Sequence, residues 1–272
     1  MSVRMLGQAS STMDQIQRQM DVISHNISNS NTTGYKMRRP EFSDLLFQQI
    51  HNMRDGENAR NRVTYDGIRV GTGARIGAVH SDLSIGSFQN TDRKLDVVLT
   101  DKNHYFQVEV EDEEGVSYTR DGNLHLSSEG NELALVNSDG HYIVGENGPI
   151  RFSNTIDDIQ IADNGNVYVT ENDETTLAGR ISLVEVIRPR VMETVGDNLF
   201  RLPDLDELDL DFDEIIADVD ADEVMKSNKL EMSNVDLGTQ MTELINAQRA
   251  YQVNAKSVTT ADQMQGLINQ MR

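Results

Sequence analysis

At 272 residues, with 37% apolar residues, no Trp and a mean hydropathy of −0.51, the chain has room for one central core with extensions rather than two full domains. The absence of Cys excludes disulfides, thiolate metal sites and cysteine nucleophiles. A formal charge of −21 and a pI near 4.5 argue against affinity for nucleic-acid phosphates and for anionic membrane surfaces, both of which need clustered Lys and Arg. The charge is unevenly placed. Residues 1–36 carry Arg4, Arg18 and Lys36 against Asp14 and Asp21, and residues 227–272 carry Lys229, Arg249, Lys256 and Arg272 against Glu231, Asp236, Glu243 and Asp262. Near-neutral ends can crowd together, whereas the acidic middle resists crowding.

No apolar run approaches the roughly 18 residues of a membrane span, so stable membrane insertion is not expected. Met1 to Gln8 has no continuous apolar stretch of the secretory type, so a Sec route is not expected either. From Leu6 the apolar positions Leu6, Ala9, Met13, Ile16, Met20, Ile23 and Ile27 step alternately by three and four, a heptad pattern that predicts a helix with a narrow packing seam. A single amphipathic helix lying on its own core is the alternative, although such helices usually show a wider stripe. The run Ser28-Asn29-Ser30-Asn31-Thr32-Thr33-Gly34 offers competing backbone hydrogen bonds and a left-handed glycine, so the helix should end between Asn29 and Gly34.

Met37 to Val70 reads as a polar, irregular connector apart from Phe42, Leu45, Leu46, Phe47 and Ile50. Short strands are then predicted at 75–79, 95–99, 105–110, 116–119, 133–136, 156–161, 167–169 and 181–187. Turn signals separate them at Asp121-Gly122, Glu129-Gly130, Asp139-Gly140, Asn147-Gly148-Pro149 and Asn164-Gly165. This punctuation without helical periodicity predicts a mainly β central domain, an antiparallel sandwich or barrel-like fold. Pro203 to Glu223 is strongly acidic and reads as a linker. Leu237, Met241, Leu244, Ala247, Tyr251, Ala255, Val258, Ala261, Met264, Ile268 and Met271 then recur at helical spacing, with Ser233 or Asn234 as the expected N-cap. A helix from Val235 to Met271 would be roughly 55 Å long, more than a small core can cover, and so needs a partner helix. The expected organisation is therefore residues 1–36 and 226–272 as a terminal helical polymerisation domain, 37–70 as an extended connector, 71–203 as the β domain and 204–225 as an acidic linker.

Chemical motifs are weak. Gly71-Thr72-Gly73-Ala74-Arg75-Ile76-Gly77 has glycines but lacks Gly-Lys-Ser/Thr and opens a strand, so it reads as a turn or bulge rather than a phosphate loop. Asp209-Leu210-Asp211-Phe212-Asp213 begins like a calcium loop, yet Glu214 stands where Gly is needed and Asp220 where a bidentate Glu is expected. His25, His51, His80, His104, His125 and His141 show no metal-ligand spacing. Acidic pairs such as Glu113-Glu114 have nothing that marks them as a glycosidase pair. No catalytic, cofactor-binding or metal-ligating residue is expected, and no enzyme activity.

The sequence does carry a resemblance. Leu230-Glu231-Met232-Ser233-Asn234-Val235-Asp236 followed by Ala247-Gln248-Arg249-Ala250-Tyr251-Gln252-Val253-Asn254-Ala255-Lys256 resembles the end segment of flagellar rod and hook proteins. His25-Asn26-Ile27-Ser28-Asn29 with Thr33-Gly34-Tyr35-Lys36 resembles their N-terminal signature, and Phe42 to Ile50, Gly71-Thr72-Gly73 and Tyr118-Thr119-Arg120-Asp121-Gly122 extend the likeness through the middle. The motif residues are Asn26, Asn29, Gly34, Tyr35, Lys36, Ser233, Asn234, Val235, Gln248, Arg249, Tyr251 and Asn254. Two departures are Asp101-Lys102-Asn103-His104, where the family often has a Gly-rich turn, and the acidic stretch from Asp204 to Glu223.

The resemblance implies a structural subunit of the bacterial flagellar basal-body rod, exported by the flagellar type III apparatus without a cleaved signal. It implies terminal helices packed as a coiled coil around an axial channel, with other rod and hook proteins as partners. The polar stretch from Gln48 to Tyr65 resembles a segment of distal-rod proteins, which favours rod over hook. The assembly seam would be Leu6, Met13, Ile16, Met20, Ile23 and Ile27 against Leu237, Met241, Leu244, Tyr251, Val258 and Ile268. The remaining helix faces are rich in Gln, including Gln8, Gln15, Gln17, Gln19, Gln240, Gln248, Gln252 and Gln263, and are expected to meet solvent or neighbouring copies. The alternatives are a hook-type axial protein, or a wall-polymer-binding β module dimerised by its helices.

Overall fold

A computed structural model describes residues 2–44, 48–50, 68–70, 74–110, 115–196, 198–203, 212–219 and 224–271. The expected features at Leu45 to Phe47, at Gly71-Thr72-Gly73, at Glu113-Glu114, over most of Gln48 to Tyr65, at Asp209 to Asp211 and at Asp220 lie outside these residues. The chain falls into two compact units, one of residues 1–27, 38–80 and 237–272 and the other of residues 28–37 and 81–236.

The first unit holds the two terminal helices. Helix α1, Ser2–Ser28, spans roughly 40 Å at 1.5 Å per residue and ends at the edge of the Asn/Ser/Thr run. Gly34, six residues beyond, has a φ of +68°. Helix α2, Leu237–Gln270, spans roughly 50 Å, and of its side chains only Gln240 and Ala247 are buried. It starts later than expected. Ser233 and Asn234 are not its N-cap, because the helix begins at Leu237 and both stand ahead of the cap position: the Ser233 hydroxyl accepts from the Val235 amide at 3.3 Å in a local turn, and Asn234 is held by backbone groups described below. The connector expected to be irregular forms β-ribbons, with Arg38–Asp44 pairing with Ala74–Ser81 and Gln48–Ile50 antiparallel to Ile68–Val70. The Gln15 side chain of α1 accepts from the Ile76 amide of this ribbon at 2.8 Å.

The second unit is mainly antiparallel β. Its central strand, His104–Glu109, pairs along one edge with Val116–Thr119. Along the other edge its first half pairs with Leu183–Val186 and its second half with Tyr142–Gly145, so the sheet forks there rather than closing into a barrel. Eleven described strands belong to this sheet, and a three-stranded sheet of Asp158–Ile161, Asn166–Glu171 and Glu174–Arg180 lies in the same unit. The glycines flagged as turn signals at 130, 140, 148 and 165 all have positive φ. One turn was missed: Asn172 and Asp173, with φ of 52° and 64°, close the last hairpin of the small sheet by the two-residue geometry that right-twisted strands prefer. Part of the acidic stretch is strand. Ile216–Asp218 pairs with Leu183–Val186, and Ile215 and Ile216 are buried.

Period-two alternation gives the sheet two apolar faces. Phe106, Val108, Leu135, Ile143 and Leu183 join one cluster with Ile161 and Val167 of the small sheet, while Tyr105, Val184, Val186 and Phe200 join another with Tyr118 and Ile216. Tyr105 and Phe200 meet edge to face, with centroids 5.5 Å apart. Strands buried on both faces explain why short apolar runs, rather than strict alternation, announced this domain. We expect Phe106→Ala, which removes a fully buried ring, to cost about 3–5 kcal/mol. Leu177→Ala, at a side chain 59% exposed on the last strand of the small sheet, should stay within about 0.5 kcal/mol. Urea unfolding of the two variants checks this, and equal losses would refute the placement of the core.

Candidate functional site

In the helical unit the two helices run antiparallel beside one another. Asn26 near the end of α1 meets Gln240 in the first turn of α2, and further along Ser10, Met13, Asp14 and Gln17 line a groove with Tyr251 and Val258. Asn26 is buried and saturated by partners. Its Nδ2 donates to Gln240 Oε1 at 3.0 Å and to the Arg38 carbonyl at 2.8 Å, while its Oδ1 accepts from the Arg38 amide at 2.9 Å. A buried amide pair of this kind is expensive to break and tolerates only one register. Gln240 was expected on the outer polar face; it is instead buried, because Asn26 needs an acceptor that no apolar residue supplies.

Of the expected seam, Ile23 is buried, and Met13, Ile16, Met20, Ile27, Leu244, Tyr251 and Val258 are half-buried. Leu237, Met241 and Ile268 are exposed, Ile268 by 67%. At 100° per residue Ile268 lies roughly a third of a turn from the Leu244 face, and more than half of that is the drift expected when a heptad pattern is written on a straight helix. The side chain of Leu6 lies outside the described residues. Gln248 and Arg249 are exposed, and Asn254 donates to the Ala250 carbonyl at 2.9 Å.

The β unit contains the other motif residues, gathered on a cluster of buried charge. Glu231 Oε1 accepts from Lys36 Nζ at 2.6 Å and from the Gly86 amide at 3.0 Å, while Oε2 accepts from Arg120 Nε at 3.0 Å and Nη2 at 2.8 Å. Lys36 also donates to the Ser84 carbonyl at 2.7 Å, and Arg120 Nη1 donates to the carbonyls of Asp101 and His104, each at 2.8 Å. The guanidinium lies 5.7 Å from the centre of the Tyr105 ring. The three charged side chains are at most 2% exposed.

Around them the backbone is tied down. Gly34 donates its amide to the Glu231 carbonyl at 2.8 Å, and a Cβ there would sit 2.7 Å from the Arg120 carbonyl carbon, so both its φ and this approach require glycine. Asn234 accepts from the Met37 amide at 2.7 Å and donates to the carbonyls of Asp82 and Ser84. Asp121 accepts from the hydroxyls of Thr33, at 2.6 Å, and Ser138, and Asn198 donates to the Thr33 carbonyl at 2.7 Å. Tyr35 is buried beside these residues in sequence, whereas Asn29 accepts from the Thr32 hydroxyl at 3.1 Å in the turn after α1.

Electrostatics follow from this geometry. Burial pushes the Glu231 carboxyl up, but Arg120 first and Lys36 second pull it further down, so it stands below the usual carboxylate range. Burial, reinforced by repulsion from Arg120, holds the Lys36 ammonium below the usual lysine range, and Glu231 offsets only part of this. The signs differ in consequence. Glu231 contributes stability that is full above the ordinary carboxylate pKa and is lost as pH falls through its lowered value, whereas keeping Lys36 charged opposes folding until alkaline pH relieves it. Burial also pushes the Tyr105 phenol up to about 12.

Arg120 and Glu231 were quoted in the sequence only as parts of motifs, and their pairing was missed. The available signal was a Glu between Leu230 and Met232 and an Arg after the Tyr118-Thr119 strand end, each a charge set directly beside strand-forming residues. Among the described residues no group of His, Asp or Glu is placed to hold a metal ion, and no helix is long and apolar enough to cross a membrane. We expect Glu231→Gln, which strands two buried cations, to cost about 3–5 kcal/mol at neutral pH and to flatten the acid limb of the stability profile. Lys36→Met, which leaves a neutral Arg–Glu pair, should cost clearly less. Urea titrations of both variants across the carboxylate range are the measurement, and a Glu231→Gln chain as stable and as acid-sensitive as wild type would refute the assignment.

Comparison with known sequences places these features in one lineage. The profile described as flagella basal body rod protein matches residues 6–36, that of the flagellar hook protein FlgE/F/G D1 domain matches 101–169, and that of the flagellar basal body rod FlgEFG protein C-terminal matches 226–271. The flagellar hook-basal body complex protein FlhP of Bacillus subtilis is 38% identical over 97% of both chains. The flagellar basal-body rod protein FlgG of the same bacterium is 33% identical over 99% of this chain and all of its own, and FlgG of Agrobacterium fabrum is 32% identical over 98% of both. Lys36, Arg120 and Glu231 fall one in each of the three matched segments. End-to-end likeness at this level, on a fold whose three matched segments meet at one buried cluster, establishes that the chain belongs to the flagellar basal-body rod protein family.

Proposed function

We infer that this chain is a structural, non-enzymatic subunit of the flagellar basal-body rod that polymerises through its terminal helical segments, residues 1–36 and 226–272. In this reading α1 and α2 pack as a coiled coil, neighbouring copies complete its burial, and the resulting hollow tube transmits torque and conducts exported subunits. The negative charge of the β domain stays solvated. Other rod and hook proteins adjoin it, and the chain reaches the basal body through the flagellar type III apparatus without a cleaved signal peptide. The resemblance of Gln48 to Tyr65 to a distal-rod segment supports rod over hook.

One observation carries this reading beyond family likeness. Helix α2 has 34 residues, yet Val253, Met264, Leu267 and Ile268 are each more than half exposed. Contiguous exposed apolar surface of this kind marks an interaction face, and each such side chain covered by a neighbour contributes roughly 1.5–3 kcal/mol. The remaining surface of α2 is mostly Gln, Asn, Ser and Thr, which can hydrogen-bond to other copies without charge repulsion.

The test separates folding from assembly. In the double variant Val253→Asp and Ile268→Asp the new charges stand at positions 65% and 67% exposed in the monomer, so each should change its stability by no more than about 0.5 kcal/mol. Between copies the same charges would be buried without partners, which costs several kcal/mol. Cells carrying the variant should make the protein but lack external hooks and motility. Normal motility would overturn the reading.

A further inference from the structure

We propose that the buried Lys36–Glu231–Arg120 cluster is a completion latch, so that the β unit holds its fold only while segments from both ends of the chain are seated in it. The N-terminal strap, residues 28–37, and the C-terminal strap, residues 225–236, flank helices that belong to the other unit, yet both straps are counted into the β unit. They lie side by side, joined by the Gly34 amide on the Glu231 carbonyl and by the Met37 amide on Asn234.

The C-terminal strap completes the unit in three independent ways. Met225–Ser227 is the antiparallel partner of Val97–Leu99, and Lys229–Glu231 is the partner of Phe88–Asn90, with Asn228 at a φ of +59° letting the chain step from one partner to the other. Met225 is 1% exposed within the main apolar cluster, so its removal leaves a cavity there. Glu231 is the anion that faces both buried cations. Without it Lys36 and Arg120 remain buried with backbone carbonyls as their only hydrogen-bond partners, the situation in which losing one partner costs most. The strands of residues 104–201 therefore depend on residues that leave a ribosome or an export channel at the opposite end of the chain from Lys36. A chain with one end still threaded stays unfolded.

The experiment pulls the purified full chain from its two termini in optical tweezers. The helical unit yields first or together with the rest, and the straps then bear the load. The latch predicts one cooperative extension in which residues 28–236 are released together, roughly 200 residues or about 70 nm at some 3.5 Å per residue. Refolding should occur in the same single step. A short first extension of about 20 residues, followed by a persistent folded intermediate, would overturn the proposal, because the β unit would then survive without its straps. Glu231→Gln should lower the unfolding force. Should that variant not fold, the Lys36→Met full chain carries the same test, and a single step of undiminished length is required of it. The measurement is made on isolated chains, so its failure leaves the rod assignment untouched, and a failure of that assignment leaves the latch testable.

Discussion

The β unit is organised around a shortage of negative charge. One carboxylate, Glu231, serves two buried cations, and the other hydrogen bonds that Lys36 and Arg120 donate all go to backbone carbonyls. Burying ions is unfavourable unless their geometry is close and complete, so the surrounding backbone has little freedom. The carbonyls of Ser84, Asp101 and His104 and the amide of Gly86 must point inward, which fixes two separate segments, the loop at 84–86 and the turn at 101–104. Asp121 and Asn198 extend the constraint to Thr33. Apolar burial on the two faces of the sheet supplies the bulk of the favourable free energy, while the charges select which segments meet.

Much of the architecture was legible in the sequence because it rests on local chemistry. The heptad steps of α1, its end at the Asn/Ser/Thr run, and the turn glycines at 130, 140, 148 and 165 are each determined within a few residues. The interactions that could not be read are those between distant residues. Arg120 and Glu231 are 111 positions apart, Lys36 and Glu231 are 195 apart, and nothing in either neighbourhood specifies the partner. Gln240 was misassigned to the outer face for the same reason: a glutamine among glutamines announces burial only once Asn26 is placed beside it. Ser233 and Asn234 are both residue types that favour an N-cap, yet the Asn234 side chain serves three backbone groups of the β unit instead.

The two units differ in how completely they bury their apolar surface. In the β unit the central strand contributes Tyr105 to one cluster and Phe106 and Val108 to another, all fully buried. In the helical unit α2 keeps large apolar residues exposed along most of its length. The contrast fits membership of a family of structural rod subunits. The motifs by which the sequence resembled the family divide accordingly. Thr33 to Lys36, Arg120, Asp121, Glu231 and Asn234 hold the β unit together, whereas Gln248, Arg249 and Val253 remain on the surface of α2.

The amide pair of Asn26 and Gln240 has a further consequence, for ionic strength. At molar salt the screening length shrinks to about 3 Å, and exposed ion pairs such as Arg18 with Asp14 and Arg188 with Glu214 cease to matter. A register fixed by two uncharged amides carries no charge for ions to screen, and the Glu231 cluster is closed to them. The polar contacts that define both units are thus little affected by electrostatic screening. Surface acidity can be adjusted to brine or to dilute water without altering how the two helices are aligned.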